Sequence, residues 1–170
     1  AVVTQDPDLL KKMAYMRNFG HDGPIDFAEV GINGKNSEFH AAMGLVNLKY
    51  VAAISEKRKM QYERYALWNQ HLRLKTIKIN TEAEFNYAYY PVIFESENAL
   101  EKALEIFTAN EVYPRRYFYP TLNHLRYVSA HSTPICDEIT CKVVCLPMYH
   151  GLGIEDIDFI CGLLLKAQDN

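Results

Sequence analysis

A chain of 170 residues, 49% hydrophobic and 23% charged, has the composition of an ordinary globular protein and is long enough to bury a hydrophobic core. Its formal net charge of −3 gives no reason to expect binding to nucleic acid. No uncharged apolar run reaches the roughly 18 residues that predict a transmembrane helix.

The first predicted helix begins at Asp6 and Pro7. Asp is a preferred cap, and Pro is tolerated at the first helical position. Apolar residues from Leu9 to Met16 fall on one face, and Gly20 is placed to end the helix. The stretch AVVT before it predicts a strand that has already begun, so we expect the chain to be part of a longer protein.

A polar loop, residues 20–36, leads to the second predicted helix, which Asn36 or Ser37 caps. The apolar pattern continues less regularly to about Leu72, which predicts one helix of some 30 residues and about 45 Å. A helix of this length is expected to bridge two units or to line an interface. Its apolar face, which we expect to serve core or dimer packing, carries Phe39, Ala42, Met43 and Val46.

From Leu74 onward, predicted strands alternate irregularly with helices. Ser96 caps an amphipathic helix, and shorter helices are predicted near 134–142 and over 154–167. The predicted strands are LKTIKI, NYAYYPVIF and KVVCLP. This pattern predicts an α/β sandwich, in which helices cover a small sheet.

Asn33 and Lys35 stand just before the second helix. Free N–H groups and the helix dipole favour an anion there, and an amide donor with a cation two residues away suits a phosphate. An equally good interpretation is an Asn in a left-handed turn followed by a solvated Lys. The spacing leaves both open.

The segment YPRRYFYP, residues 113–120, places two arginines among three tyrosines. Arg binds phosphate through two parallel hydrogen bonds, and Tyr can stack on a base or a sugar, so a nucleotide-linked ligand fits. An edge strand with its arginines in solvent explains the pattern as well.

The cysteines and histidines form no recognisable site. No CxxC pair and no zinc-ligand spacing occur, so we expect buried free thiols in a cytosolic protein and no metal site. The histidines are expected to be surface or capping residues, and no P-loop, GxGxxG or HExxH motif is present. The cysteines are Cys136, Cys141, Cys145 and Cys161.

Several stretches together resemble one known family. RNFGHDG (17–23), GINGKNSEFHAAMGLVNL (31–48), YPRRYFYPTLN (113–123) and VVCLPMYHGL (143–152) are similar to the C-terminal part of the DegT/DnrJ/EryC1/StrS family. Members are aminotransferases that depend on pyridoxal 5′-phosphate (PLP) and act on nucleotide-linked sugars. The resemblance covers essentially the whole chain.

The resemblance implies an α/β fold that is the C-terminal portion of a fold-type I PLP-dependent transferase. Residues 1–50 would end the large PLP domain, 51–72 would form a long connecting helix, and 73–170 would form a small α/β domain with a mostly antiparallel sheet. We expect residues 1–50 to expose apolar surface that the rest of the large domain or a partner covers.

The resemblance also implies roles for particular residues. Asn33 would reach the PLP phosphate of the other subunit of a homodimer, and Lys35 would lie close to a cofactor or substrate phosphate. The active site would therefore be shared across subunits. The residues implied to face the nucleotide-sugar are Arg115, Arg116, Tyr117 and Tyr119.

The family's Schiff-base lysine lies upstream of these motifs, so no catalytic residue is expected in this chain, which alone would be inactive. The function implied is an aminotransferase acting on a dTDP-linked keto-deoxysugar, with glutamate as the amino donor. One alternative is a dehydratase of the same family, in which His replaces the lysine. Another is a non-catalytic binding or dimerisation module.

Overall fold

The computed structural model describes residues 2–116, 119–125, 129 and 131–169 (backbone only at 169). The chain divides into two compact units, Ala1–Tyr50 and Val51–Asn170, called unit 1 and unit 2 below. No helix in these described ranges is both long and apolar enough to cross a membrane.

Unit 1 contains two helices and a short hairpin. Helix α1 spans Pro7–Met16, strands β1 (His21–Asp22) and β2 (Asp26–Phe27) pair antiparallel, and helix α2 spans Glu38–Leu48. The Asp6 carboxylate accepts hydrogen bonds at 2.9 and 3.2 Å from two N–H groups of the first turn of α1. The predicted start of this helix is therefore confirmed.

Unit 1 has almost no interior. Among its described residues only Gly20 is buried. The predicted apolar face of α2 lies open, with Phe39 89%, Met43 61% and Val46 47% exposed. The expectation that residues 1–50 expose apolar surface is confirmed, and this surface is large for a chain standing alone.

Two sequence predictions for this region are wrong. Residues 2–4 form no strand, because within the described chain they have no neighbouring strand to bond. The single long helix is interrupted after Leu48, where the N–H groups of Lys49 and Tyr50 bond three residues back, at 3.1 and 2.9 Å. Such tight turns end a helix without disturbing the apolar pattern on which the prediction depended.

Unit 2 is a three-stranded antiparallel sheet with helices packed on it, in the order β3-β4-β5. The predicted small antiparallel sheet with covering helices is therefore confirmed. Its helices are α3 (Val51–Trp68), α4 (Glu97–Ala109), α5 (Pro134–Thr140) and α6 (Ile154–Asp169), and its strands are β3 (Lys75–Thr76), β4 (Tyr90–Ile93) and β5 (Val143–Leu146).

The hydrophobic core lies entirely in unit 2. Val92 of β4 and Val144 of β5 are fully buried against apolar residues of α4 and α6, among them Phe107 and Leu164. Ser96 caps α4 by accepting the Ala99 N–H at 3.2 Å, as the sequence predicted.

Two polar side chains of α3 hold the loop that follows β5. Gln61 is fully buried and donates to the carbonyl oxygens of Tyr149 and Leu152 at 2.8 and 2.9 Å. The Tyr65 hydroxyl donates to the Pro147 carbonyl at 2.9 Å. Carbonyl groups that are buried away from water need hydrogen-bond donors from the protein. The donors on α3 supply them and so fix the loop on the helix.

Replacing Leu164 by Ala should lower the free energy of unfolding of unit 2 by about 2–5 kcal/mol, because it empties fully buried space. Leu67→Ala is the matched control: Leu67 is 55% exposed, so the change should be within about 0.5 kcal/mol. Urea denaturation followed by circular dichroism measures both, and equal losses would contradict the assigned core.

Candidate functional site

The loop that precedes α2 folds back on the end of α1 through backbone hydrogen bonds. The Ile32 N–H donates to the Met16 carbonyl at 2.8 Å, and the Phe19 N–H donates to the Ile32 carbonyl at 3.0 Å. The Gly34 N–H continues the pairing to the Arg17 carbonyl at 2.9 Å. The sequence suggested a functional or mobile loop. In the structure, these hydrogen bonds pair it with the end of α1.

Two glycines make this approach possible. A Cβ on Gly20, where φ is +83°, would lie 1.7 Å from the Glu29 carbonyl oxygen. A Cβ on Gly31 would lie 2.3 Å from the Gly20 nitrogen and 2.6 Å from the Met16 carbonyl oxygen. No side chain fits at either position, so the pairing requires glycine.

The pairing places the two residues predicted to face phosphate. Asn33 forms an antiparallel bridge with Asn18, and no partner for its exposed side-chain amide is found within the described chain. Lys35 donates from Nζ to Asn18 Oδ1 at 2.6 Å and lies 4.7 Å from the centre of the Phe19 ring. An amide and a cation thus stand on the segment that enters α2.

Ser37 caps α2, which settles the choice between the two predicted caps. Its Oγ accepts the His40 N–H at 3.3 Å and lies 2.7 Å from His40 Nδ1. The end of α2 nearest Asn33 and Lys35 carries the positive end of the helix dipole, and the carboxylate of Glu38 lies in the same first turn. This arrangement is chemically able to hold an anion.

A second candidate region lies in unit 2, beside the edge of the sheet. Arg115 extends β5 by exchanging backbone hydrogen bonds with Cys145 at 3.1 and 2.8 Å. It thereby lines a cleft of about 660 Å³. The cleft is also lined by Tyr89, Tyr113 and Tyr149, by the acidic residues Glu111 and Asp156, and by Phe159.

Arg116 has other partners. Its guanidinium donates to the carbonyls of Thr140 and Cys141 at the end of α5, at 3.4 and 3.2 Å, and lies 3.9 Å from Glu97. The ring of Tyr119 lies 3.6 Å from Arg116 Cζ. The structure therefore does not bring all the predicted sugar-facing residues together: Arg115 lines the cleft, and Arg116 and Tyr119 contact each other. Tyr117 lies outside the described residues.

Sequence reasoning missed Asp137, in the first turn of α5. Its carboxylate accepts from Thr121 Oγ1 at 2.7 Å, from Asn123 Nδ2 at 3.3 Å and from Thr133 Oγ1 at 3.2 Å, and it lies 3.2 Å from His124 Nε2. The Thr121 hydrogen bond, with those from Asn123 and Thr133, lowers the pKa of Asp137 below its usual range. The sequence after YFYP, TLNHLRYVSA, mixes polar and apolar residues and contains no motif that links it to Asp137.

The thiols are unpaired, but only Cys161 is buried, and burial raises its pKa to about 12. Cys136 is exposed, so the predicted burial holds for one cysteine of the four. Among the described residues no three potential ligands cluster as a metal ion would need.

Comparison with known proteins identifies the class. The model of the DegT/DnrJ/EryC1/StrS aminotransferase family matches residues 1–165. The chain therefore belongs to this family, as its motifs indicated.

Its relatives include sugar transaminases. The dTDP-4-amino-4,6-dideoxy-D-glucose transaminase of Escherichia coli is 30% identical over 97% of this chain and 47% of its own length. The chain thus spans about half the length of that curated relative.

Solved structures share the fold. The aminotransferase TlmJ from Streptoalloteichus hindustanus matches 97% of this chain and 46% of its own, with a TM-score of 0.88 at 18% identity. The PLP-form of Spr1654 from Streptococcus pneumoniae, described as a sugar aminotransferase, matches 99% of this chain and 45% of its own, with a TM-score of 0.82 at 17% identity. These likenesses confirm the predicted α/β fold, which corresponds to about half of each of these aminotransferase structures.

Asp137→Asn should loosen the segment around Thr121 and Asn123, because an amide cannot accept all the hydrogen bonds of the carboxylate. We expect faster hydrogen exchange in that segment, measured by mass spectrometry. Glu138→Gln is the matched control, since Glu138 is also on α5 and, among the described residues, its carboxylate bonds only Lys142. Unchanged exchange in Asp137→Asn would show that the carboxylate does not order the segment.

The lowered pKa of Asp137 sets the direction of a pH effect. A carboxyl group whose pKa is lower in the folded state stabilises that state above its unfolded pKa, and this contribution is lost as the pH falls through the folded value. The segment should therefore loosen only in acid, below the usual Asp range. Carbon-13 NMR titration of the carboxyl group measures the pKa of Asp137, and hydrogen exchange at the same pH values measures the loosening.

Proposed function

We propose that this chain forms the C-terminal half of a PLP-dependent aminotransferase that acts on a nucleotide-linked keto-deoxysugar. The observation that carries the proposal is the family match over residues 1–165, joined to a relative whose named product is a dTDP-linked amino-dideoxyglucose. The name of this relative supports dTDP as the nucleotide, and the family resemblance supports glutamate as the amino donor.

The residues present fit the phosphate end of the cofactor. The exposed Asn33 amide, the Lys35 ammonium and the start of α2 together supply hydrogen-bond donors and positive charge, which is what a phosphate monoester requires. PLP, when bound, supplies the electron-accepting ring on which amino-group transfer depends. The residues of this chain would hold the phosphate of PLP and orient the cofactor.

The residues beside the cleft suit the other ligand. Arg115 is fixed by its backbone pairing with Cys145 and lines the cleft together with three tyrosines and the acidic residues Glu111 and Asp156. An arginine suits the diphosphate, and tyrosines suit the base or the sugar. Arg116 and Tyr119 contact each other next to the cleft-lining Arg115 in the chain. We assign all four of the predicted sugar-facing residues, Tyr117 included, to the nucleotide-sugar, Arg115 by direct contact.

The proposal includes a homodimer with a shared active site. The open apolar face of α2 would be covered by the partner, and Asn33, just before that helix, would reach the cofactor phosphate of the partner. Unit 1 has almost no interior, yet it carries Asn33 and Lys35, which suit a phosphate. A site that another polypeptide completes would explain both features.

The full-length protein, supplied with PLP, L-glutamate and a dTDP-linked 4-keto-6-deoxysugar, should form the amino sugar, detected by mass spectrometry. The 170-residue chain alone should form none and should give no lysine-bound PLP absorption band, since the family's lysine lies outside the matched motifs. Turnover by the 170-residue chain would contradict this division of roles.

The same assay separates the alternatives. A dehydratase would consume the sugar without taking nitrogen from glutamate, and a binding module would bind dTDP without any turnover. Either result with the full-length protein would overturn the proposed reaction.

Phe39→Asp in the full-length protein should turn the dimer into a monomer, because it places a charge on the open α2 face, where Phe39 is 89% exposed. Leu67→Asp on α3 also replaces an exposed apolar side chain and should leave the dimer intact. Sedimentation velocity distinguishes the two, and a dimer that survives Phe39→Asp would exclude α2 from the interface.

A further inference from the structure

The ammonium group of Lys35 contacts two uncharged groups. Its Nζ donates to the Asn18 side-chain oxygen at 2.6 Å and lies 4.7 Å from the centre of the Phe19 ring. Across the part of the chain that the structure describes, no carboxylate pairs with this lysine. It therefore differs from Lys12 and Lys142, which pair with Glu29 and Glu138.

Neutral partners orient a cation without cancelling it. An amide oxygen and an aromatic face attract an ammonium group through their dipole and quadrupole, but they add no net charge. The ammonium group has three N–H donors, and Asn18 takes one of them. The full charge and the remaining donors of Lys35 are then available to an anion.

The backbone fixes Asn18 independently of its side chain. Its N–H donates to the Tyr15 carbonyl at 3.0 Å, its carbonyl accepts the His21 N–H at 3.0 Å, and it forms a bridge with Asn33. Phe19, with φ of +58°, turns the chain directly after it. The side chain that holds Lys35 is thus fixed relative to the segment that carries Asn33.

We propose that Asn18 is a positioning residue, which together with Phe19 holds the Lys35 ammonium group charged and directed at a phosphoryl group that Asn33 also binds. The proposal rests on the proposed function, since that function supplies the phosphoryl group. This group is either the phosphate monoester of PLP or the diphosphate of the nucleotide-sugar. Asn18 itself does not contact the ligand.

The experiment compares PLP with pyridoxal, which lacks the phosphate, on the cofactor-free full-length dimer. The ratio of the two dissociation constants measures how much the phosphate contributes. Asn18→Asp should lower the affinity for PLP roughly tenfold, because a carboxylate neutralises the lysine, and Asn18→Ala should lower it roughly threefold, through loss of orientation. The affinity for pyridoxal should not change in either variant.

Two controls accompany these variants. Asn80→Asp adds the same charge in unit 2, where a carboxylate can accept the Glu82 N–H as the Asn80 side chain does, and it should leave both affinities unchanged. Circular dichroism checks the fold, and if Asn18→Asp does not fold, Asn18→Ala alone carries the test.

The outcomes separate this inference from the proposed function. Asn33→Ala and Lys35→Ala should also lower the contribution of the phosphate, and if neither does so for PLP or for dTDP, the proposed phosphate site itself is wrong. If they do but the Asn18 variants do not, or if the Asn18 variants weaken PLP and pyridoxal equally, the positioning role is overturned. A loss of affinity for dTDP but not for PLP would support the role and assign the anion to the substrate.

Discussion

The close approach of the backbone at Gly20 and Gly31 is the constraint on which the candidate phosphate site depends. A side chain at either position would overlap a neighbouring carbonyl or amide group, so the loop before α2 could not pair with the end of α1. Without this pairing, nothing in the local chain would bring Asn18 and Lys35 into contact. The glycines therefore shape the site although they offer no functional group of their own.

In unit 2, the short helix α5 forms side-chain hydrogen bonds at both of its ends. Asp137, in the first turn of α5, accepts from the hydroxyl of Thr121 and the amide of Asn123, while carbonyls at the other end of α5 accept hydrogen bonds from Arg116. The helix thereby fixes Arg116 as well as Thr121 and Asn123. A charged residue can therefore serve a binding region without facing the ligand.

The sequence was informative wherever a structure depends on neighbours in the chain. Caps at Asp6 and Ser96 and the apolar spacing of α1 and α4 are local signals, and the helices followed them. The interruption at Lys49 leaves the apolar spacing unchanged, so periodicity could not show it. The contact of Asn18 with Lys35 joins residues 17 apart, and only the folded-back loop creates it. The motifs were enough to identify the family, whereas the contact between Lys35 and Asn18 could be found only in the structure.

The near absence of buried side chains in unit 1 has a consequence for how the site comes into being. Burial of apolar surface is the main force that offsets the loss of chain entropy, and the described residues of this unit bury almost none among themselves. Under the proposed dimer, the partner that covers α2 would supply this order through mass action. Anion recognition at Asn33 and Lys35 would then be a property of quaternary structure, and dilution below the dissociation constant of the dimer would abolish it before unit 2 unfolds.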